Sequence, residues 1–141
     1  MTQPVVRAQR IVSPIAADSP GASWTNGWRI GNEVVMSGMT AHPASREAAV
    51  RGQPLGAYAQ TLLILQKILG LVEAAGGCKA NIVKTVVYLT DIADKDEVGR
   101  ARKDFFEGVY PCSTLVEVKG LVFAELCVEI DAWARLDAIL E

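Results

Sequence analysis

Two carboxylates stand inside apolar, strand-like runs. Glu117 lies between Val116 and Val118, and Glu129 lies between Val128 and Ile130. Withdrawing an ionised carboxylate from water is costly, so such a position calls for a cationic partner, a raised pKa or an open pocket. A carboxyl whose pKa is raised in a partly desolvated cleft is suited to hold a water or shuttle a proton near neutral pH. The alternative for either residue is an ion pair at a packed surface. Gly38 interrupts another strand-like run, where a glycine marks close approach by backbone or ligand. Arg100, Arg102 and Lys103 put three cations on one helical stretch, and this pattern by itself reads as a solvated face. His42 is the only histidine and lies far in sequence from Ser113, so a Ser/His/Asp triad through it would arise only by accident of folding.

Other chemistries find less support. Cys78, Cys112 and Cys127 are widely spaced, form no C-x-x-C pair and could recruit only His42. A disulfide framework, a zinc site or another resident cofactor is therefore not expected, and three free thiols fit a cytoplasmic setting. With 14 basic and 16 acidic side chains the net charge is −2, which gives no electrostatic footprint for nucleic acid. No apolar run reaches the ~20 residues that span a bilayer, and the start Met1-Thr-Gln-Pro lacks the pattern of a signal peptide. The expected partners are a small ligand and other copies of the chain. Mean hydropathy is positive without such a run, so surplus apolar surface points to self-association.

The 141 residues fit one domain, spanning 1–141. Residues 7–12 predict a short edge strand, and residues 13–23, with Pro14, Pro20 and Gly21, a loop. Trp24–Ile30 and Glu33–Ser37 flank Gly31-Asn32 as a hairpin. Residues 41–56 read as loop. Tyr58–Ala75 is the clearest helix, with Tyr58, Leu62, Leu65, Leu69 and Val72 on one face, Ile64, Ile68 and Leu71 widening it, and Gln60 and Lys67 away from its centre. Gly76-Gly77 ends it. Ile82–Leu89 predicts a central strand, with Val83, Thr85, Val87 and Leu89 on one side and Val86 and Tyr88 on the other. Asp94 with Glu97 resembles a capping box opening a second helix. Strands follow at Ser113–Val118 and Leu126–Leu136, with Leu121–Leu126 left open. This order predicts an α+β domain. Two helices pack on one face of a mostly antiparallel or mixed sheet, and the other face is left for solvent or other subunits.

Several of these stretches together resemble the Rid superfamily of reactive-intermediate deaminases, also called YjgF-like proteins. They are Gly31–Gly38, Ala74-Ala-Gly76, Ile82–Asp91, Phe105-Phe106, Pro111–Val118 and Val128–Ala132, so the resemblance spans about residues 22–134. It implies a chorismate-mutase-like mixed sheet with two helices on one face, and a homotrimer with clefts between subunits. It also implies that Glu129 holds the attacking water, that the backbone N–H of Leu115 faces the ligand, and that Gly38 is the strand glycine of the site. Trp24 takes the place of a tyrosine that lines the cleft from the neighbouring subunit. Glu117 is read as a structural pairing. In the deaminases an arginine in Pro-x-Arg-Ser/Thr grips the substrate carboxylate through its planar fork. Here Ser113 occupies that position, and Met39 replaces the glutamine that usually follows the glycine. Arg102 or Arg29 is the replacement to look for.

The leading expectation is a cofactor-free hydrolytic deaminase, or related hydrolase, of a small imine, enamine or amide-like metabolite, distinct from a standard 2-imino-acid deaminase. Ser113, Trp24 and Arg102 would contact the substrate. The rival is a non-catalytic trimer that binds a small ligand or a partner. An endoribonuclease, attributed to some relatives, is the third reading, and the acidic charge balance counts against it.

Overall fold

The structure, a computed structural model, describes residues 2–141. Its strands are β1 (Gln9–Arg10), β2 (Gly27–Ile30), β3 (Glu33–Met36), β4 (Ile82–Leu89), β5 (Cys112–Glu117) and β6 (Val128–Arg135). They form a single mixed sheet in the order β1-β2-β3-β6-β4-β5, in which only β4 and β5 run parallel. The helices are α1 (Ala44–Val50), α2 (Ala57–Ala74) and α3 (Lys95–Phe106). The α+β expectation holds, with a third helix added.

That third helix, α1, lies in the segment expected to be loop. Ala44-Ser-Arg-Glu-Ala-Ala-Val50 forms two helical turns that bury only Ser45 and Ala48, too little apolar surface to register as periodicity. The buried stripe of α2 is centred on Ile64, Ile68 and Leu71, which the expected face held at its side. Gln60, Thr61, Ile64, Leu65, Ile68, Leu71 and Val72 are buried, whereas Tyr58, Leu62 and Leu69 are partly exposed. Gln60, expected off the apolar face, is fully buried because its amide joins three backbone groups. Its Nε2 donates to Leu55 O and Glu125 O, and its Oε1 accepts from Cys127 N. The helix ends as expected, with Gly76 at φ +94° and Gly77 N–H donating to Val72 O.

Strand β1 is shorter than expected, and β2 begins at Gly27, leaving Trp24 in a bend before it. In β4 an irregularity between Ile82 and Lys84 turns Ile82, rather than Val83, into the core. The capping box does not form. Asp91 instead caps a 3-10 turn at Ile92–Asp94, and Glu97 bonds Arg100 at 2.7 Å. Residues 121–126 carry neither helix nor strand.

The core lies between α2, α3 and one face of the sheet, where Val34, Thr85, Val87, Leu89, Val128, Ile130 and Ala132 are buried. The other face carries Trp28, Val35 and Trp133 in one cross-strand row, each more than a third exposed. No helix in the described residues is long and apolar enough to cross a membrane.

Candidate functional site

Strand pairing sorts the candidate residues onto two faces. Ser113 pairs with Thr85, a buried residue on the helix-covered side. Glu129 pairs with Tyr88, on the open side. Side chains of directly paired residues share a face, so Ser113 and Glu129 lie on opposite faces of the sheet. One chain does not bring them together.

On the open side, Gly38 sits over Glu129. Met39 and Ile130 exchange backbone hydrogen bonds at 2.9 and 3.1 Å, which lays the backbone of Gly38 across β6. A Cβ added at Gly38 would stand 2.6 Å from Glu129 Oε1 and 2.9 Å from Asp131 Oδ1. Only glycine leaves the carboxylates where they are. Burial, aided by the Asp131 charge, raises the Glu129 pKa above the ordinary carboxylate range. Asp131 is itself held by the Tyr88 hydroxyl, which donates to it at 2.8 Å. A cavity of about 290 Å³ opens onto Tyr88, Glu129 and Asp131, with Val118, Gly120 and Leu121 as its rim. Glu117, by contrast, accepts from Ile92 N–H at 2.8 Å, a structural role.

On the helix side, Arg102 reaches from α3 across to β5. Its Nη1 donates to Ser113 Oγ at 2.6 Å. A cavity of about 270 Å³ lies beside them, bounded by Thr85, Gly99, Phe106, Tyr110 and Pro111, with Lys103 also on its wall. Partial burial lowers the Arg102 pKa, yet arginine starts so high that it remains a cation. Arg29, the other possible replacement, donates to Gly31 O and Ala75 O and so is committed to the end of α2. The solvated-face reading of the three cations thus fails at Arg102, while Arg100 stacks on Tyr58 as an ordinary surface group.

Leu115 packs its side chain against the core. Val118 N–H donates to Leu89 O, and a parallel ladder alternates by twos. The amides of Thr114 and Val116 therefore turn toward β4, and that of Leu115 turns outward at the free edge of β5. Trp24 is 55% exposed and meets neither cavity within one chain. Cys112 is exposed, since it faces the open side of an edge strand. His42 stacks on Phe123, its ring centroid 4.5 Å away, apart from both cavities. No three His, Cys, Asp or Glu side chains cluster as metal ligands among the described residues.

The family model for endoribonuclease L-PSP matches residues 15–136. The chain belongs to this family, the Rid or YjgF-like superfamily. A crystal structure of a Pseudomonas aeruginosa protein of unknown function is 57% identical, with TM-score 0.94 over 96% of this chain and 97% of that one. Escherichia coli TdcF, solved with bound serine, is 27% identical with TM-score 0.76, over 90% and 98% of the two chains. The RutC family protein y4sK of Sinorhizobium fredii is 30% identical over 79% of this chain and 88% of its own.

Within this Rid chain the site residues missing from the sequence reading are Tyr88, Asp131 and Gly99. Asp131 carried a signal, because it stands two residues from Glu129 on the same strand and so on the same face. Tyr88 was assigned to the correct side of β4, but its partner depends on β6 lying beside it. Gly99 carried none.

Proposed function

We propose that this chain is a hydrolytic deaminase of a small imine or enamine, with amide-like substrates as the related class, working at clefts between copies of the chain. The observation that carries the reading is the Glu129 carboxylate. It is held half-buried under Gly38, raised in pKa, and open to a cavity of metabolite size. Such a group accepts a hydrogen bond from water and takes its proton as the oxygen attacks the imine carbon. The proton passes to the nitrogen, and collapse of the resulting carbinolamine yields a carbonyl compound and ammonia. The outward amide of Leu115 supplies a fixed donor at the cleft edge for charge developing on the substrate. Trp24 stands in an exposed bend from which it would reach a neighbouring copy's cleft.

The opposite placement of Glu129 and Ser113 supports a site completed by a second subunit, and the family resemblance supports three subunits. The serine held by TdcF supports a ligand the size of a small amino acid. The test is the purified protein with imines generated in situ, comparing wild type with Glu129→Ala. Loss of turnover in the variant is expected, and equal rates would remove Glu129 from the mechanism. If ligands bind to the wild type without any turnover, the non-catalytic reading replaces this one.

A further inference from the structure

We propose that α3 supplies the anion clamp of this protein. Arg102 grips a carboxylate beside Ser113, and the adjoining cavity takes an aliphatic tail, so the ligand is a small monocarboxylic acid with an apolar side chain. That this ligand is turned over rests on the deaminase reading above; the clamp itself does not.

Four observations converge on it. First, Arg10, Arg46, Arg100 and Arg135 each pair with a carboxylate within 4.0 Å. Arg102 has none among the described residues; Arg7 and Arg51, which share that lack, are exposed, and Arg29 is taken up by two backbone carbonyls, whereas Arg102 is partly buried. A half-buried guanidinium with one donor on a neutral hydroxyl leaves a fork free for two carboxylate oxygens. Second, Ser113 is short and neutral and cannot replace a guanidinium fork, yet its hydroxyl accepts from Nη1 at 2.6 Å and so fixes where the guanidinium points. The cation thus stands beside β5 but is delivered from α3. Third, Phe106, Tyr110 and Pro111 give the wall beside it apolar surface, with Lys103 and Thr85 also lining the cavity. Its volume of about 270 Å³ falls just short of the ~300 Å³ at which pockets for drug-sized ligands begin. Fourth, Gly99 lies inside α3, where glycine is disfavoured relative to alanine. It lines this cavity, and an added Cβ there would meet no atom within 4 Å. Helix geometry and packing both tolerate a side chain at 99, and its absence keeps the cavity open.

The experiment is calorimetric titration of the wild-type protein with 4-methyl-2-oxopentanoate, with pyruvate as the short-tailed acid and 4-methylpentanamide as the uncharged control. The branched oxoacid is expected to bind at least tenfold more tightly than either. Arg102→Gln is expected to weaken it tenfold or more. Adding Ser113→Arg to that variant should restore binding, which separates loss of the clamp from loss of the fold. Gly99→Leu should remove the advantage of the branched acid over pyruvate. Equal affinity for acid and amide, or undiminished binding by Arg102→Gln, would overturn the proposal. Acid binding that needs Arg102 without imine turnover leaves the clamp standing and removes the deaminase reading. Turnover indifferent to Arg102→Gln does the reverse.

Discussion

Withdrawing the Glu129 carboxyl from water and setting Asp131 beside it raises its pKa, so the folded chain holds this proton more tightly than the unfolded chain does. The stability linked to that proton is fully present below the unfolded carboxyl pKa. It is lost as pH rises through the higher folded value. Glu129→Gln removes the ionisation, so its Tm should exceed that of the wild type at pH 7 and match it near pH 4, by calorimetry at both. Turnover should fall in the same variant, because the amide accepts no proton from water. In the wild type, turnover should rise with pH as Glu129 ionises, with a midpoint above that of an ordinary glutamate. Gly38→Ala tests the same carboxylate without touching it. The new Cβ would stand 2.6 Å from Oε1, but that oxygen is the far end of a flexible side chain and can swing away. The expected stability change is within about 1 kcal/mol. Turnover should nonetheless drop on the order of 100-fold, as misplacing a reacting group by an ångström does.

At the scale of elements, Gln60 joins α2 to two loops and to the start of β6 through three hydrogen bonds. Gln60→Ala would strand two carbonyls and one amide inside the protein, and a loss of about 2–4 kcal/mol is expected in denaturant unfolding. That residue also shows where sequence reasoning stops. Glutamine has no apolar signature, so its burial follows only from the backbone groups that tertiary folding brings to it. Patterns carried within one segment were legible: the β-branched run of β4, the hairpin across Gly31-Asn32, and the glycines closing α2. Glu129 was legible for the same reason, as a charge inside a local apolar run. The position of β6 between β3 and β4 was not, since it joins strands far apart in the chain. The partition of Ser113 and Glu129 between faces depends on that order, through the pairs Thr85 with Ser113 and Tyr88 with Glu129. Arg102 was one of three similar cations until the packing of α3 on the sheet set it against Ser113.

For the whole molecule, the uncovered sheet face and the divided site make one argument. Trp28, Val35 and Trp133 form an apolar row that a single chain leaves more than a third exposed. Covering that row with another copy removes apolar surface from water and carries Glu129 toward a second chain. Trp133→Glu should therefore yield a folded monomer without turnover, with mass read by sedimentation equilibrium and fold by circular dichroism. A stronger test uses two inactive variants. If each cleft takes Glu129 from one subunit and Arg102 from its neighbour, Glu129→Gln and Arg102→Gln damage different halves of it. In an equal mixture of the two, assembled at random into a closed ring, a cleft is intact when the first subunit is the Arg102 variant and the second the Glu129 variant. That happens at about a quarter of the clefts, so about a quarter of wild-type turnover should return on mixing. If both residues served the same cleft from the same chain, every hybrid cleft would lack one of them, and mixing would restore nothing. The opposite faces on which the fold places Ser113 and Glu129 favour the first outcome.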